Sequence, residues 1–181
     1  MSFEIIPVWK QVTPELKQEL REFWERNRAL ASGEQADMRA DQAVCIGRDE
    51  NGRVCAVGTA VLRILPRLRQ PTYYYRQFFD PSKRGQHQTV PFVRRVCEVL
   101  QAWNAAQAEP EAIGVLAELQ NRMLSGRYAT AQVPEAGFTF IGYSPRGFPL
   151  FVSYFEGAVL KPPAPLRRTR QPGAAVGNVQ H

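Results

Sequence analysis

Between Lys83 and Thr89 the chain reads Lys-Arg-Gly-Gln-His-Gln-Thr, two cations and a glycine directly ahead of an apolar helical pattern. The first N–H groups of a helix lack internal partners, and the dipole there favours negative charge, so an anion can bind at such a place. Gly85 permits close approach of a ligand to the backbone, and Lys83 and Arg84 can pair with phosphate oxygens. The same residues also suit a solvated helix start that holds nothing. Phosphate binding and plain surface are therefore both open on this stretch alone.

Other chemistries are narrowed by what the chain contains. His87 and His181 are the two histidines, so a multi-histidine metal site is not expected. Cys45, Cys55 and Cys97 lie in apolar stretches, follow no zinc spacing and are odd in number, which reads as reduced core thiols. The net charge of +6 is concentrated at one end: Lys161, Arg167, Arg168 and Arg170 account for four of it and leave +2 for the rest. A nucleic-acid surface is thus not expected. No run approaches the roughly 20 apolar residues of a membrane span. The start Met-Ser-Phe-Glu-Ile-Ile lacks a basic leader, which makes the cytoplasm the expected location.

These groups must be positioned by a fold, and 181 residues suit one domain that buries roughly 70% of its unfolded surface. Thr13 as N-cap, Pro14 at the first helical position and Leu16, Leu20, Phe23 and Trp24 on one face predict an amphipathic helix of about five turns. The segment from Ala31 to Asp41 is polar and aperiodic, a loop that can lie over a site. Asn51-Gly52 between two alternating β-branched runs predicts a hairpin of strands over about 43–48 and 53–65. Thr72 to Asp80 is an aromatic strand, in which Tyr73, Tyr74 and Tyr75 pack the sheet faces. A helix follows over about 88–104, then a strand at Ala112–Leu119, a helix at Gln120–Ala131 that Gly126 can interrupt, a strand from Gly137, a turn at Ser144–Gly147 and a last strand. From Lys161 the proline-, glycine- and arginine-rich composition predicts a disordered tail over 161–181, leaving a domain of 1–160. The fold class is α+β, a mixed sheet with flanking helices, and not a doubly wound one.

The strand-loop-helix around Arg84 resembles the coenzyme-A-binding segment of the GCN5-related N-acetyltransferase (GNAT) superfamily, where a fourth strand leads through Arg/Gln-x-x-Gly-x-Gly/Ala into a helix. Here Arg84-Gly85-Gln86-His87-Gln88-Thr89 keeps the arginine, while His87 and Thr89 replace small residues. Asn121, Tyr128 and Gly137-Phe138 repeat a second family pattern, with about five extra residues before Gly137. The resemblance covers most of residues 14–160. It implies acyl-CoA, acetyl-CoA foremost, as co-substrate with no metal, and direct transfer to an amine of a small molecule or peptide.

It further implies a pyrophosphate held by Arg84, Gly85, Gln86, His87, Gln88 and Thr89, with Phe78, Phe79 and Asn121 along the pantetheine. Glu118 would take the amine proton and Tyr128 would protonate the leaving thiolate. From the residues themselves Glu118 can equally be a surface carboxylate, Tyr128 a core tyrosine and Asn121 a helix cap. His87 can crowd the diphosphate, donate to it, or face solvent. Glu34, Asp37 and Asp41 would suit a cationic acceptor. An exposed final strand could form a homodimer. The alternative function is a catalytically degenerate GNAT-fold module that senses a ligand or binds a protein.

Overall fold

The computed structural model describes residues 3–30, 33–84, 87–120, 126 and 129–165. The alternating run around Val57 and the aromatic run around Tyr74 form the two longest strands, β3 (Val54–Ile64) and β4 (Pro71–Phe79), paired antiparallel along all of β4. β3 is reached from β2 (Ala43–Arg48) through a turn in which Asp49 accepts from the backbone N–H groups of Asn51 and Arg53, and Gly52 takes φ +74°. That left-handed conformation suits a residue without Cβ, as the Asn-Gly pair predicts. Outside β2 lies β1 (Glu4–Pro7), a short edge strand that the sequence reading did not contain.

On the other side β4 meets β5 (Gly114–Glu118) in parallel, and β5 continues to β8 (Pro149–Tyr154), β7 (Phe138–Tyr143) and the two-residue β6 (Gln132–Val133), all antiparallel. The described residues thus form one sheet in the order β1-β2-β3-β4-β5-β8-β7-β6. The final strand is not an edge, since β8 is paired on both sides. The strand-pairing dimer envisaged for it therefore has no free edge to use.

Helix α1 (Pro14–Arg26) starts where expected, with the Thr13 hydroxyl accepting from Leu16 N–H at 3.2 Å. It is shorter than the periodicity predicts. Arg28 N–H bonds Glu25 O and Ala29 N–H bonds Trp24 O, with Arg28 at φ +50°: this is a Schellman ending, built without its usual glycine. The segment read as a loop contains a helix, α2 (Glu34–Asp41). Its buried stripe is only Ala36 and Ala40, too small to register as hydrophobic periodicity but small enough to let α2 lie close on α1. The long helix α3 (Thr89–Ala105) follows its prediction within a residue. Among the described residues no helix is long and apolar enough to cross a membrane.

α1 and α2 cover one face of the sheet. There Leu20 and Phe23, fully buried, meet Ile46, Val57 and Phe78. α3 covers the other face with Phe92, Val96 and Leu100 against Tyr73, Tyr75 and Phe79. Alternation along β4 therefore sends Tyr74, Arg76 and Phe78 toward α1 and α2, and Tyr73, Tyr75, Gln77 and Phe79 toward α3. The helix predicted at Gln120–Ala131 lies largely outside the described residues. Of the predicted tail, residues 161–165 run without regular structure yet hydrogen-bond to Gln70 and Arg69, and residues 166–181 lie outside the described residues.

Gly114 starts β5 so close to β8 that an added Cβ would sit 2.4 Å from the Ser153 carbonyl oxygen, a backbone atom that moves only with its strand. Gly114→Ala should destabilise the protein by about 1–3 kcal/mol. Urea unfolding will show it as a lowered midpoint at unchanged slope.

Candidate active site

The pairing of β4 with β5 is brief: Tyr73↔Val115, Tyr74↔Leu116 and Tyr75↔Ala117. Beyond Tyr75, β4 stays on β3 as far as Phe79, while β5 stays on β8 as far as Glu118. The two strands part, and a cavity of about 940 Å³ occupies the gap and reaches both faces of the sheet. Its α3 side is bounded by Tyr75, Phe79, Val90, Val93 and Phe138, its α1/α2 side by Trp24, Leu30, Arg39, Arg76 and Glu118.

The start of α3 borders this cavity. Gln88 stands at the N-cap but its side chain takes no N–H of the first turn, Thr89 and Val90 line the cavity, and Pro91 has no N–H to offer. Arg84, ahead of it, donates from Nε to Phe79 O at 3.2 Å and lays its guanidinium 5.3 Å from the Phe78 ring centre. His87 also lines the cavity, with φ +56°. An L-residue there costs on the order of 1–2 kcal/mol against a right-handed conformation. His87 thus makes a left-handed turn of the kind that glycine makes without cost. His87 is an exposed residue even though it lines the cavity.

Of the eleven residues singled out from sequence, the structure brings Phe78, Phe79, Arg84, His87, Thr89 and Glu118 to one cavity, with Gln88 at the N-cap beside it. Gly85, Gln86, Asn121 and Tyr128 lie outside the described residues. The tyrosine run packs as expected, Tyr73, Tyr74 and Tyr75 all being buried.

Glu118 is the central polar group. Its side chain is 5% exposed and its Oε2 accepts from Tyr74 Oη at 2.5 Å, Arg146 Nη2 at 2.8 Å and Gln120 Nε2 at 3.1 Å. Desolvation pushes its pKa up, but hydrogen bonds from Ser144, Tyr74, Arg146 and Gln120 outweigh it and hold the carboxyl at about 2. At rest Glu118 is thus an anion held by donors, without the raised pKa that suits a general base. Neither Arg146, in the turn between β7 and β8, nor Tyr74 was singled out beside Glu118 in the sequence, because they lie 28 and 44 residues away from it.

Two of the three acidic residues expected to receive a cation are turned elsewhere. Asp41 pairs with Lys17 at 2.7 Å and Asp37 with Arg21 at 3.0 Å, tying α2 to α1. The α2 side chain that reaches the cavity is Arg39.

No family model matches the sequence, and neither does any curated protein. Solved structures do match. An acetyltransferase of the GNAT family from Streptococcus pneumoniae aligns with TM-score 0.58 at 13% identity, over 84% of this chain and 99% of its own. The chain has the GNAT fold. A GNAT-superfamily phosphinothricin acetyltransferase from Sinorhizobium meliloti, solved in complex with AcCoA, aligns over 93% of this chain and 97% of its own, with TM-score 0.57 and 14% identity. A ribosomal-protein-S5-alanine acetyltransferase from Vibrio fischeri covers 90% and 97% at TM-score 0.57 and 10% identity. At such identities the likeness is one of fold, and it says nothing of the side chains in the gap.

The depressed pKa of Glu118 makes a pH signature. A carboxylate whose folded pKa lies below its ordinary 4.5 contributes stability that is complete above about pH 4.5 and is lost as pH falls toward about 2. Wild type should lose on the order of 1–2 kcal/mol across that window that Glu118→Gln does not lose, a figure reduced for the solvent around Arg146. Tyr74→Phe should raise the Glu118 pKa, which carboxyl-resolved NMR titration will read directly.

Proposed function

We propose that the protein is an acyl-CoA-dependent N-acyltransferase, using acetyl-CoA, that passes an acyl group directly to an amine entering from the α1/α2 side. One observation supports this above the others: the gap between β4 and β5 joins the start of α3 on one face to Glu118 on the other, so two reactants can meet within the sheet. Holding them in attack geometry can account for up to ~7–11 kcal/mol of barrier lowering.

An acyl-CoA, when bound, supplies a thioester carbonyl open to attack by an amine. The N–H groups at Thr89 and Val90, which no side-chain cap takes, with Arg84 and the turn at His87, suit its diphosphate, and among the described residues β4 from Arg76 to Phe79 has no neighbouring strand on its β5 side, which leaves backbone groups for the pantetheine amides. Phe79, Val93 and Phe138 make the surrounding wall apolar and keep water from the reacting atoms. A covalent acyl-cysteine route is disfavoured: burial pushes the thiols of Cys45 and Cys97 up to about 12 and that of Cys55 to about 11, so none is a thiolate near neutral pH.

Glu118 then acts in two stages. As an anion it holds the acceptor ammonium. Arg146, whose side chain is 59% exposed, and the exposed Gln120 are the partners an acceptor can displace, and each hydrogen bond lost returns basicity to the carboxylate. Proton removal of this kind contributes about 10²–10⁴-fold in rate. The family resemblance assigns the return of a proton to the thiolate to Tyr128 and a pantetheine contact to Asn121. A module that binds the ligand without turnover is the second reading, favoured by the low resting pKa of Glu118.

Calorimetric titration with acetyl-CoA should give saturable binding, weakened at least about tenfold by Thr89→Glu, whose charge opposes a diphosphate. Absence of heat and of any thermal shift would overturn the proposal. Where acetyl-CoA binds, Glu118→Gln should lower kcat about 10²-fold with little change in affinity for it, whereas binding with no transfer to any amine would select the non-catalytic module.

A further inference from the structure

The α1/α2 side of the cavity carries positive charge that the protein leaves uncompensated. Arg76 projects from β4 on the same face as Tyr74, one side-chain position along, roughly 7 Å in backbone distance. Its guanidinium lies 4.8 Å from the Tyr74 ring centre, and that of Arg63, from β3, lies 5.0 Å from the same centre. Arg39 reaches the cavity from α2, half-buried. None of the five ion pairs among the described residues uses Arg39, Arg63 or Arg76, and the α2 acids that could have answered them bind Lys17 and Arg21 instead. Glu118, the cavity-lining carboxylate placed on this face, is already bound to Tyr74, Arg146 and Gln120.

Resting on acyl transfer as the activity of this cavity, we infer that the acceptor is a small amine that also carries an oxyanion, a carboxylate or a phosphate, seated with its amine at Glu118 and its oxyanion between Arg39 and Arg76. Guanidinium groups present paired N–H donors that match such oxygens bidentately. The lowered pKa of Arg39 has the same origin: desolvation first, then the charges of Arg76 and Arg63, a repulsion that an anion would relieve. A polyamine or a lysine-rich peptide would instead bring more positive charge to a cationic wall.

CoA release should be followed with glutamate, γ-aminobutyrate and O-phosphoethanolamine as anionic amines, and with butylamine and putrescine as the neutral-tailed and cationic comparisons. At least one anionic amine should exceed both comparisons by about tenfold or more in kcat/KM, and Arg76→Gln and Arg39→Gln should each raise its KM by about tenfold while the KM for acetyl-CoA moves less than twofold. A preference for butylamine or putrescine, or an unchanged KM in both variants, overturns the inference and leaves acyl transfer standing. Calorimetry of the protein without acetyl-CoA, titrated with the same anionic amines, separates the two claims. Binding by wild type that is lost in Arg76→Gln supports the anion site even if acetyl-CoA does not bind. Acetyl-CoA binding without any anionic-amine binding or turnover overturns it.

Discussion

Everything in this structure follows from where two strands stop agreeing. β4 is fastened to β3 along its whole length and β5 to β8 along its whole length, whereas β4 and β5 share three parallel pairs. Parallel pairing is slightly the weaker kind per residue, and here it is also the shortest internal seam of the sheet. Each strand therefore follows the twist of its stronger partner. The sheet is two twisted halves hinged on Tyr73 to Tyr75, and the gap beyond that hinge holds the cavity of about 940 Å³. Gly114, pressed against the Ser153 carbonyl, helps set how β5 lies on β8 and so where Glu118 emerges.

Such a gap exposes backbone and core, and the helices close what the strands leave open. α3 lies across the hinge on one face through Phe92 against Phe79, with its first turn directed at the cavity. α1 lies on the other through Phe23 against Phe78, and its Schellman ending turns the chain back so that α2 can bring Arg39 to the opening. The two mouths differ in chemistry. One offers N–H groups and apolar walls, the other guanidiniums and a bound carboxylate, a difference that suits the proposed reaction between two unlike molecules.

Much of this frame was legible in the residues, and for reasons that can be named. Asn51-Gly52 fixes its hairpin because the left-handed turn excludes most alternatives, and Thr13-Pro14 fixes a helix start because both side chains act within a few residues of themselves. α2 was hidden because two alanines suffice to dock a helix and give no periodic signal, and β1 because a four-residue edge strand is defined by its neighbour more than by its own sequence. In the site, Arg84 and Glu118 could be singled out one by one. What the fold adds is company: Tyr74, Ser144 and Arg146 gather on Glu118 from distant parts of the chain and reverse the sign of the pKa shift that burial alone would give. His87 shows the converse, since its residue type gives no sign of a left-handed turn and its backbone adopts one.

The cationic wall is where local rules and global fold disagree most, and such disagreements concentrate at functional sites. Desolvation weighs most on Arg39, and Arg76 and Arg63, which flank one tyrosine ring, repel it as well; the ordinary remedy would be a carboxylate. Asp37 and Asp41 are two residues away from Arg39 on the same helix, yet they serve the α1 side, because positions two apart on a helix point to different faces. The arrangement separates charge by face: acids bind α2 to α1 and the base is left toward the cavity. A fold under selection for stability alone gains nothing from an unpaired guanidinium in a half-buried wall, whereas one that must capture an anion and hold it beside a fixed carboxylate gains both affinity and orientation from the same residue.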